Sequence, residues 1–87
     1  METYYKITAE RSVTFVLNGK VGEEAIPELR ESISEARQAD RHVYIDLSEV
    51  TLMDRKAVQY FSEQAERDVT LVNCPIYLKH WIRRGER

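Results

Sequence analysis

Cysteine, glycine, proline and long apolar runs are all scarce in this chain, and each scarcity excludes a class of protein. The single cysteine, Cys74, cannot form an intramolecular disulfide, so a disulfide-stapled secreted fold is excluded. Three glycines and two prolines in 87 residues exclude collagen-like and low-complexity chains. No apolar stretch has the length of a signal peptide or a membrane span. We therefore expect a cytoplasmic protein without membrane insertion.

An excess of positive charge is also absent. The chain has 13 basic and 15 acidic residues, a net charge of -2, whereas a nucleic-acid-binding protein needs a basic excess or a basic face. The content of 43% hydrophobic and 32% charged residues is typical of a soluble globular protein. The length predicts one domain, residues 1–87, that buries about 60 to 65% of its unfolded surface. A surface that binds a partner is therefore favoured over a large enclosed active site.

The hydrophobic pattern predicts seven elements in the order β-β-α-β-α-β-α. Strands are expected near residues 4–8, 12–18, 42–47 and 69–72, with a hairpin at Glu10-Arg11 and helices beginning near Pro27, after Asp54 and after Pro75. Strand-helix-strand units connect by right-handed crossovers, which predicts an α/β fold with a mixed, mostly parallel sheet of about four strands and three helices. Apolar residues on both faces of the strand at 42–47 are typical of strands with helices above and below them.

The same periods select the residues of the core. The predicted core consists of Leu29, Ile33, Ile45, Leu47, Phe61, Leu71 and Trp81. Helical spacing also assigns most of the aromatic residues Tyr60, Tyr77 and Trp81 to packing on the sheet. Tyr4 and Tyr5 point to opposite faces of an edge strand, so at least one of them is expected at the surface. A homodimer through that edge stays open.

The stretch TLMDRKAVQYF, residues 51–61, holds an unusual pair of cations. Asp54 is a predicted helix N-cap, and the periodic residues Val58, Phe61 and Ala65 follow it. Arg55 and Lys56 then fall in the first turn, where the positive end of the helix dipole disfavours an exposed cation by about 0.3 to 1 kcal/mol. Either these residues are simply solvated, or a partner surface uses them.

The sequence contains few residues that could form a catalytic or metal-binding site. His42 and His80 are far apart and belong to no metal-ligand motif, so we expect no metal and no cofactor. Cys74 precedes a helix start, a position that can lower a thiol pKa, but no base stands near it in the sequence, which favours a packed thiol. The pair Glu23-Glu24 is explained by the charge preference of a helix start. The chain is therefore predicted not to be an enzyme.

Against this background, the segment VYIDLSEVTLMD, the helix after it and VTLVNCP at the start of the last helix resemble the STAS domain of bacterial anti-sigma factor antagonists. The resemblance covers most of the chain, and its most specific part is Asp46 to Asp54. It implies a binding module without enzymatic activity that docks on an anti-sigma factor kinase and is released when the kinase phosphorylates a serine after the loop aspartate. Phosphorylation would add about two negative charges at the contact surface.

Two departures from the family pattern coincide at this site. Asp54 matches the loop aspartate, but Arg55 and Lys56 occupy the two serine positions, so the phosphorylation motif is degenerate. The family's Gly-Glu-Leu-Asp stretch is represented by Gly19 to Gly22, and its acid is missing. Ser48 and Thr51, expected in the loop, are further hydroxyls that a kinase could modify, although loop hydroxyls mostly form local turns.

These observations predict a STAS-like protein-protein interaction module that resembles an anti-sigma factor antagonist in a bacterial partner-switching system and lacks the phosphorylatable serine. The partner is an anti-sigma factor kinase-like protein or another signalling protein. The alternatives are a regulatory STAS subunit of a transporter or signalling complex, and a regulator that binds a small ligand or nucleotide. The predicted partner-binding residues are Lys20, Gly22, Glu23, Glu24, Asp54, Arg55, Lys56 and Gln59.

Overall fold

A computed structural model describes the backbone of residues 4–85 and the side chains of residues 4–80. The strands are β1 (Tyr4–Thr8), β2 (Ser12–Val21), β3 (His42–Met53) and β4 (Val69–Val72), and the helices are α1 (Ile26–Gln38), α2 (Arg55–Glu66) and α3 (Ile76–Gly85). A short 3-10 turn, Glu23–Ala25, leads into α1. The predicted order of elements is confirmed.

The four strands form one sheet in the order β1-β2-β3-β4. β1 pairs with β2 antiparallel, and β2–β3 and β3–β4 pair parallel, as the sequence pattern predicts. β2 and β3 are longer than predicted because they continue to pair with each other as far as Val21 and Met53, past two register shifts, one between Val16 and Asn18 and one between Gly19 and Lys20. Gly19 has a φ of 69°. Ser48 and Thr51 therefore lie in a strand, and their predicted place in a loop is wrong.

All three helices pack on one face of the sheet. Each of them contributes to a single cluster of buried side chains, for example Leu29 of α1, Phe61 of α2 and Leu78 of α3, all 0% exposed. The physical reason is that β2, β3 and β4 follow one another across the sheet without reversal, so right-handed crossovers carry α1 and α2 to the same side. The prediction of helices above and below β3 is wrong.

The opposite side of the sheet, which we call the open face, carries no helix in the described part of the chain. The register places on it alternate residues of each strand, namely Tyr5, Ile7, Ser12, Thr14, Val16, Asn18, Lys20, His42, Tyr44, Asp46, Glu49, Leu52, Thr70 and Val72. Val16 is buried by its neighbours there but is not part of the core cluster. Tyr44 and Asp46 are half-buried.

Most of the predicted core is confirmed. Leu29, Ile33, Ile45, Leu47 and Phe61 are fully buried, whereas Leu71 is only partly buried against the cluster. Trp81 lies outside the residues whose side chains are described.

Some of the aromatic and periodic residues singled out in the sequence are buried and others are exposed. Tyr60 and Phe61 are 5% and 0% exposed, as expected for most of the aromatic residues, whereas Tyr77 is 46% exposed. Of the periodic residues after Asp54, Val58 and Phe61 are buried and Ala65 is exposed. Tyr4 packs edge-on against Phe15 with ring centroids 5.7 Å apart, and Tyr5 is 51% exposed, as expected for adjacent residues of an edge strand. No helix in the described residues is long and apolar enough to cross a membrane.

Candidate functional site

The predicted partner-binding residues meet at one corner of the molecule, where β2 and β3 end. Parallel pairing continues to Val21 opposite Met53, so the residues that follow each strand leave the same edge of the sheet side by side. The backbone N–H of Asp54 donates to the carbonyl of Val21 at 3.2 Å, which ties the two strand ends together. Residues 30 positions apart in the sequence thus form one surface, which we call the α2 corner: Lys20 to Glu24 together with Asp54, Arg55, Lys56 and Gln59.

Asp54 is the structural centre of the α2 corner. Its Oδ1 accepts a hydrogen bond from the backbone N–H of Ala57 at 2.9 Å, which confirms the predicted N-cap of α2. Its Oδ2 accepts from the backbone N–H of Glu23 at 3.0 Å and so holds the start of the 3-10 turn. Because its two carboxylate oxygens bind backbone amides of two different segments, Asp54 fixes the geometry of the corner.

Gly22 is buried beneath this carboxylate and offers no side chain to a partner. A Cβ at this position would lie 2.9 Å from Asp54 Oδ2 and 2.8 Å from Glu24 Oε2. The backbone angles, φ -123° and ψ -177°, suit any residue, so it is the space that requires glycine here. The contribution of Gly22 is therefore to let the 3-10 turn approach the start of α2.

The cations of the corner are exposed. Arg55, Lys56 and Gln59 lie at the surface of the first two turns of α2, and Lys20, Glu23 and Glu24 are exposed on the neighbouring segment. Lys56 Nζ lies 3.7 Å from Glu23 Oε2, but these side chains are 70% and 61% exposed, so the pair contributes at most about 1 kcal/mol. In the described residues, no hydrogen bond or ion pair holds the guanidinium of Arg55.

The α2 corner has equal numbers of basic and acidic side chains, but they lie at different places on its surface. Lys20, Arg55 and Lys56 balance Glu23, Glu24 and Asp54, three against three, which gives a formal net charge of zero. Asp54 binds backbone amides and Glu23 faces Lys56, so Arg55 and Lys20 have no ion pair among the described residues. The first turn of α2 contains no acidic side chain to offset the charge of Arg55. An acidic group of a partner would fit at this point.

An exposed apolar group lies next to the corner and was missed by the sequence analysis. Leu52 is 51% exposed, Ile76 76% and Tyr77 46%. The hydroxyl of Tyr77 lies 3.2 Å from the carbonyl of Val50 and 3.3 Å from that of Thr51, so α3 begins beside the last residues of β3. The only available signal was that Ile76 and Tyr77 precede the buried Leu78 in the first turn after Pro75.

The other reactive side chains do not form a catalytic or metal site. Burial raises the pKa of the Cys74 thiol, and the charge of Lys79 offsets this only in part, so the thiol is protonated at neutral pH. His42 Nε2 lies 2.8 Å from Thr70 Oγ1 at the far end of β3, and His80 is exposed on α3. Among the described residues, no group of three or more His, Cys, Asp or Glu side chains could hold a metal ion.

An open pocket of about 400 Å³ lies at the end of the sheet opposite the corner. Its lining consists of Arg11, Arg37, Asp40, Arg41, His42, Val43 and Asp68. Arg37 is already engaged there, because its guanidinium donates to both carboxylate oxygens of Asp68 at 2.6 to 3.2 Å. None of the predicted site residues lines this pocket.

Comparison with known proteins gives one family and one fold. The STAS domain family model matches residues 4–86. Among solved structures, the chain is similar to the anti-sigma factor antagonist SpoIIAA in its unphosphorylated form, with a TM-score of 0.72 and 17% sequence identity over 92% of this chain and 81% of that one. No curated protein sequence matches it. At this identity the structural likeness concerns the fold.

Proposed function

Because the chain belongs to the STAS domain family, we propose that it is a protein-binding module without enzymatic activity that acts in the cytoplasm as an anti-sigma factor antagonist or in a related bacterial partner-switching role. Its fold is that of SpoIIAA, a protein described as such an antagonist. The observation that supports the proposal is the geometry of the α2 corner. Asp54 is held by two backbone amides, and the exposed cations Arg55 and Lys56 follow it directly.

The binding surface in this proposal is the α2 corner. Arg55 is an exposed cation at the positive end of a helix dipole, where it stabilises the fold less than a neutral or acidic residue would. In the complex, an acidic group on the partner surface would pair with the exposed Arg55 and offset its unfavourable interaction with the helix dipole. The exposed side chains of Leu52 and Tyr77 lie beside it and supply apolar area of the kind found in interface centres.

Phosphorylation does not switch this module in our proposal. Arg55 occupies the position of the family's phosphorylated serine and Lys56 the next one, so a kinase-like partner finds no hydroxyl in the first turn of α2. Binding is then controlled by the amount of the protein or by its partner. The expected partner is an anti-sigma factor kinase-like ATPase or another signalling protein with an acidic contact surface.

The test begins by isolating the partner with the tagged wild-type protein and identifying it by mass spectrometry. Affinity for that partner is then measured at two ionic strengths for the wild type, Arg55→Glu and Lys56→Glu. Charge contacts speed association and are screened by salt. We therefore expect both variants to bind more weakly, with a smaller loss of affinity between low and high salt than the wild type shows.

Arg67→Glu is the matched control, because Arg67 is exposed at the other end of the same helix. Its charge reversal changes the net charge of the protein by the same amount and should leave affinity unchanged. Unchanged affinity in both Arg55→Glu and Lys56→Glu would move the interface away from the α2 corner. Equally weakened binding in all three variants, Arg67→Glu included, would show that affinity depends on net charge and not on the α2 corner.

A further inference from the structure

The part of the open face around Tyr44 carries little charge. The chain as a whole is 32% charged, whereas the positions level with Tyr44 and two residues to either side contain one ionised side chain, Asp46. Glu49 and Lys20 follow on this side of the sheet only past the register shifts of β2 and β3. Tyr5 and Ile7 are 51% and 55% exposed there, two strands away from the half-buried Tyr44. Few charges and many aromatic residues characterise the centre of protein interfaces.

Two of its polar side chains, His42 and Asp46, are arranged symmetrically about Tyr44. His42, Tyr44 and Asp46 are alternate residues of β3, so their side chains share the open face at equal spacing. The ring of His42 is fixed by a contact of 2.8 Å with Thr70 Oγ1 and by an edge-on contact with Tyr44, at 4.7 Å between ring centroids.

Asp46 is also fixed. Burial alone would raise its pKa, but hydrogen bonds from Ser48 and Asn73 outweigh that effect and the pKa is lowered, so the carboxylate stays ionised at neutral pH.

We infer that the open face is the interface of a homodimer in which a two-fold axis, perpendicular to the strands at the level of Tyr44, stacks two sheets face to face. Such an axis sets each β3 antiparallel over its copy. It brings Tyr44 against Tyr44 and places His42 of each chain across from Asp46 of the other. His42 and Asp46 lie at equal distances from Tyr44, so the two-fold axis pairs this donor and this acceptor twice. A second copy of the chain therefore has the complementary groups in the required places.

The shape agrees with this occupant, whereas the flat contact area is small. Two copies of one sheet have the same twist, and sheets of like twist pack aligned at about -30°. Four strands about 4.8 Å apart and five residues at about 3.3 Å each give a flat footprint of roughly 300 Å² per copy, before side-chain relief is added. Stable interfaces bury about 1,200 Å² or more in total. The dimer is therefore weak and depends on concentration.

The free edge of β1 is a poorer contact for a second copy. Antiparallel pairing of β1 with itself about its midpoint would place Lys6 against Lys6, and lysine on an edge strand is a common device against such pairing. Stacking through the open face avoids this contact. It also leaves Arg55 and Lys56 free in both copies, because α2 lies on the other side of the sheet.

The first experiment measures the mass of the full chain by sedimentation equilibrium over a concentration series. We expect a monomer at low concentration and a dimer at about 100 µM or above, as the small interface implies. Thr14→Arg places a cation in the centre of the open face and should leave a monomer throughout. Ser34→Arg, a matched change at an exposed site on α1, should behave as the wild type. Circular dichroism confirms that each variant is folded.

The second experiment tests the two-fold axis. His42→Asp opposes two carboxylates and should raise the dimer dissociation constant by about tenfold or more. The double variant His42→Asp/Asp46→His restores opposite groups across the axis and should recover part of the loss. A wild type that stays monomeric, or a dimer that Thr14→Arg does not disturb, would overturn the interface. No recovery in the double variant would overturn the two-fold arrangement.

Discussion

Replacing Arg55 by Glu should stabilise the folded protein while it weakens partner binding. Arg55 is the first residue of α2, where the helix dipole disfavours a cation and favours a carboxylate by about 0.3 to 1 kcal/mol. The guanidinium is exposed and makes no hydrogen bond or ion pair with the described residues, so its removal breaks nothing. Residue 59, four positions on, is the uncharged Gln59, so the new carboxylate meets no like charge on its helix face. We expect a gain of about 0.5 kcal/mol in unfolding free energy.

The neighbouring position supplies an internal comparison. Lys56→Glu gains from the same dipole, but it loses the exposed contact with Glu23 at 3.7 Å and then sets two carboxylates near each other. These terms are similar in size, so the net change should lie within about 0.3 kcal/mol of zero. The two charge reversals, one residue apart, should therefore differ in stability.

Urea unfolding of the wild type and both variants at low salt measures these differences, with equal m-values as the sign of an unchanged transition. The gain of Arg55→Glu should shrink in about 1 M salt, since the dipole interaction is screened. A loss of stability in Arg55→Glu at low salt would refute the reasoning, because it would mean that the guanidinium has a stabilising contact in the folded chain.

Three further predictions concern the fold and its pH dependence. Ile45→Ala should cost about 2 to 5 kcal/mol in urea unfolding because Ile45 is 0% exposed, and a loss under about 0.5 kcal/mol would contradict its place in the core. Gly22→Ala should cost about 1 kcal/mol by displacing Asp54 from its cap, and the losses of Gly22→Ala and Asp54→Ala should not add in the double variant; additive losses would exclude this coupling. Hydrogen bonds from Arg37 lower the pKa of Asp68 below 3.8, so this group stabilises the fold above that pH and the stability is lost as the pH falls through the folded-state pKa. When the unfolding free energy is measured as a function of falling pH, Asp68→Asn should therefore lose less of it than the wild type does. Equal losses would show that the Arg37–Asp68 pair does not contribute to the pH dependence of stability.

The elements and the helix cap could be predicted because their causes are local. The spacing of Leu29, Ile33 and Ala36 defines one face of α1, and these residues are indeed buried. Asp54 caps α2 through an amide three residues away, a contact that the sequence pattern contains in full. Alternating residues in β2 and β3 likewise identify the buried face of each strand.

The composition of the α2 corner could be predicted only in part. A family resemblance placed Lys20 to Glu24 beside the start of α2, and the structure brings these segments together through Glu23 and Asp54. Their role in partner binding stays a prediction. The burial of Gly22 had no local signal, because it depends on Asp54, far away in the sequence. For Tyr77 the only signal was its place in the first turn after Pro75, and its contact with the end of β3 could not be read from the sequence.

The sequence by itself determined which segments are helices and strands, the parallel direction of the crossovers and the cation pair at the start of α2. Only the tertiary structure decided how far β2 and β3 extend, since their last pairs join residues more than 30 positions apart. It also decided that one face of the sheet has no helix in the described chain. The periodicity of a strand reports which side chains are apolar, but the spatial order of the strands determines on which side each crossover helix packs.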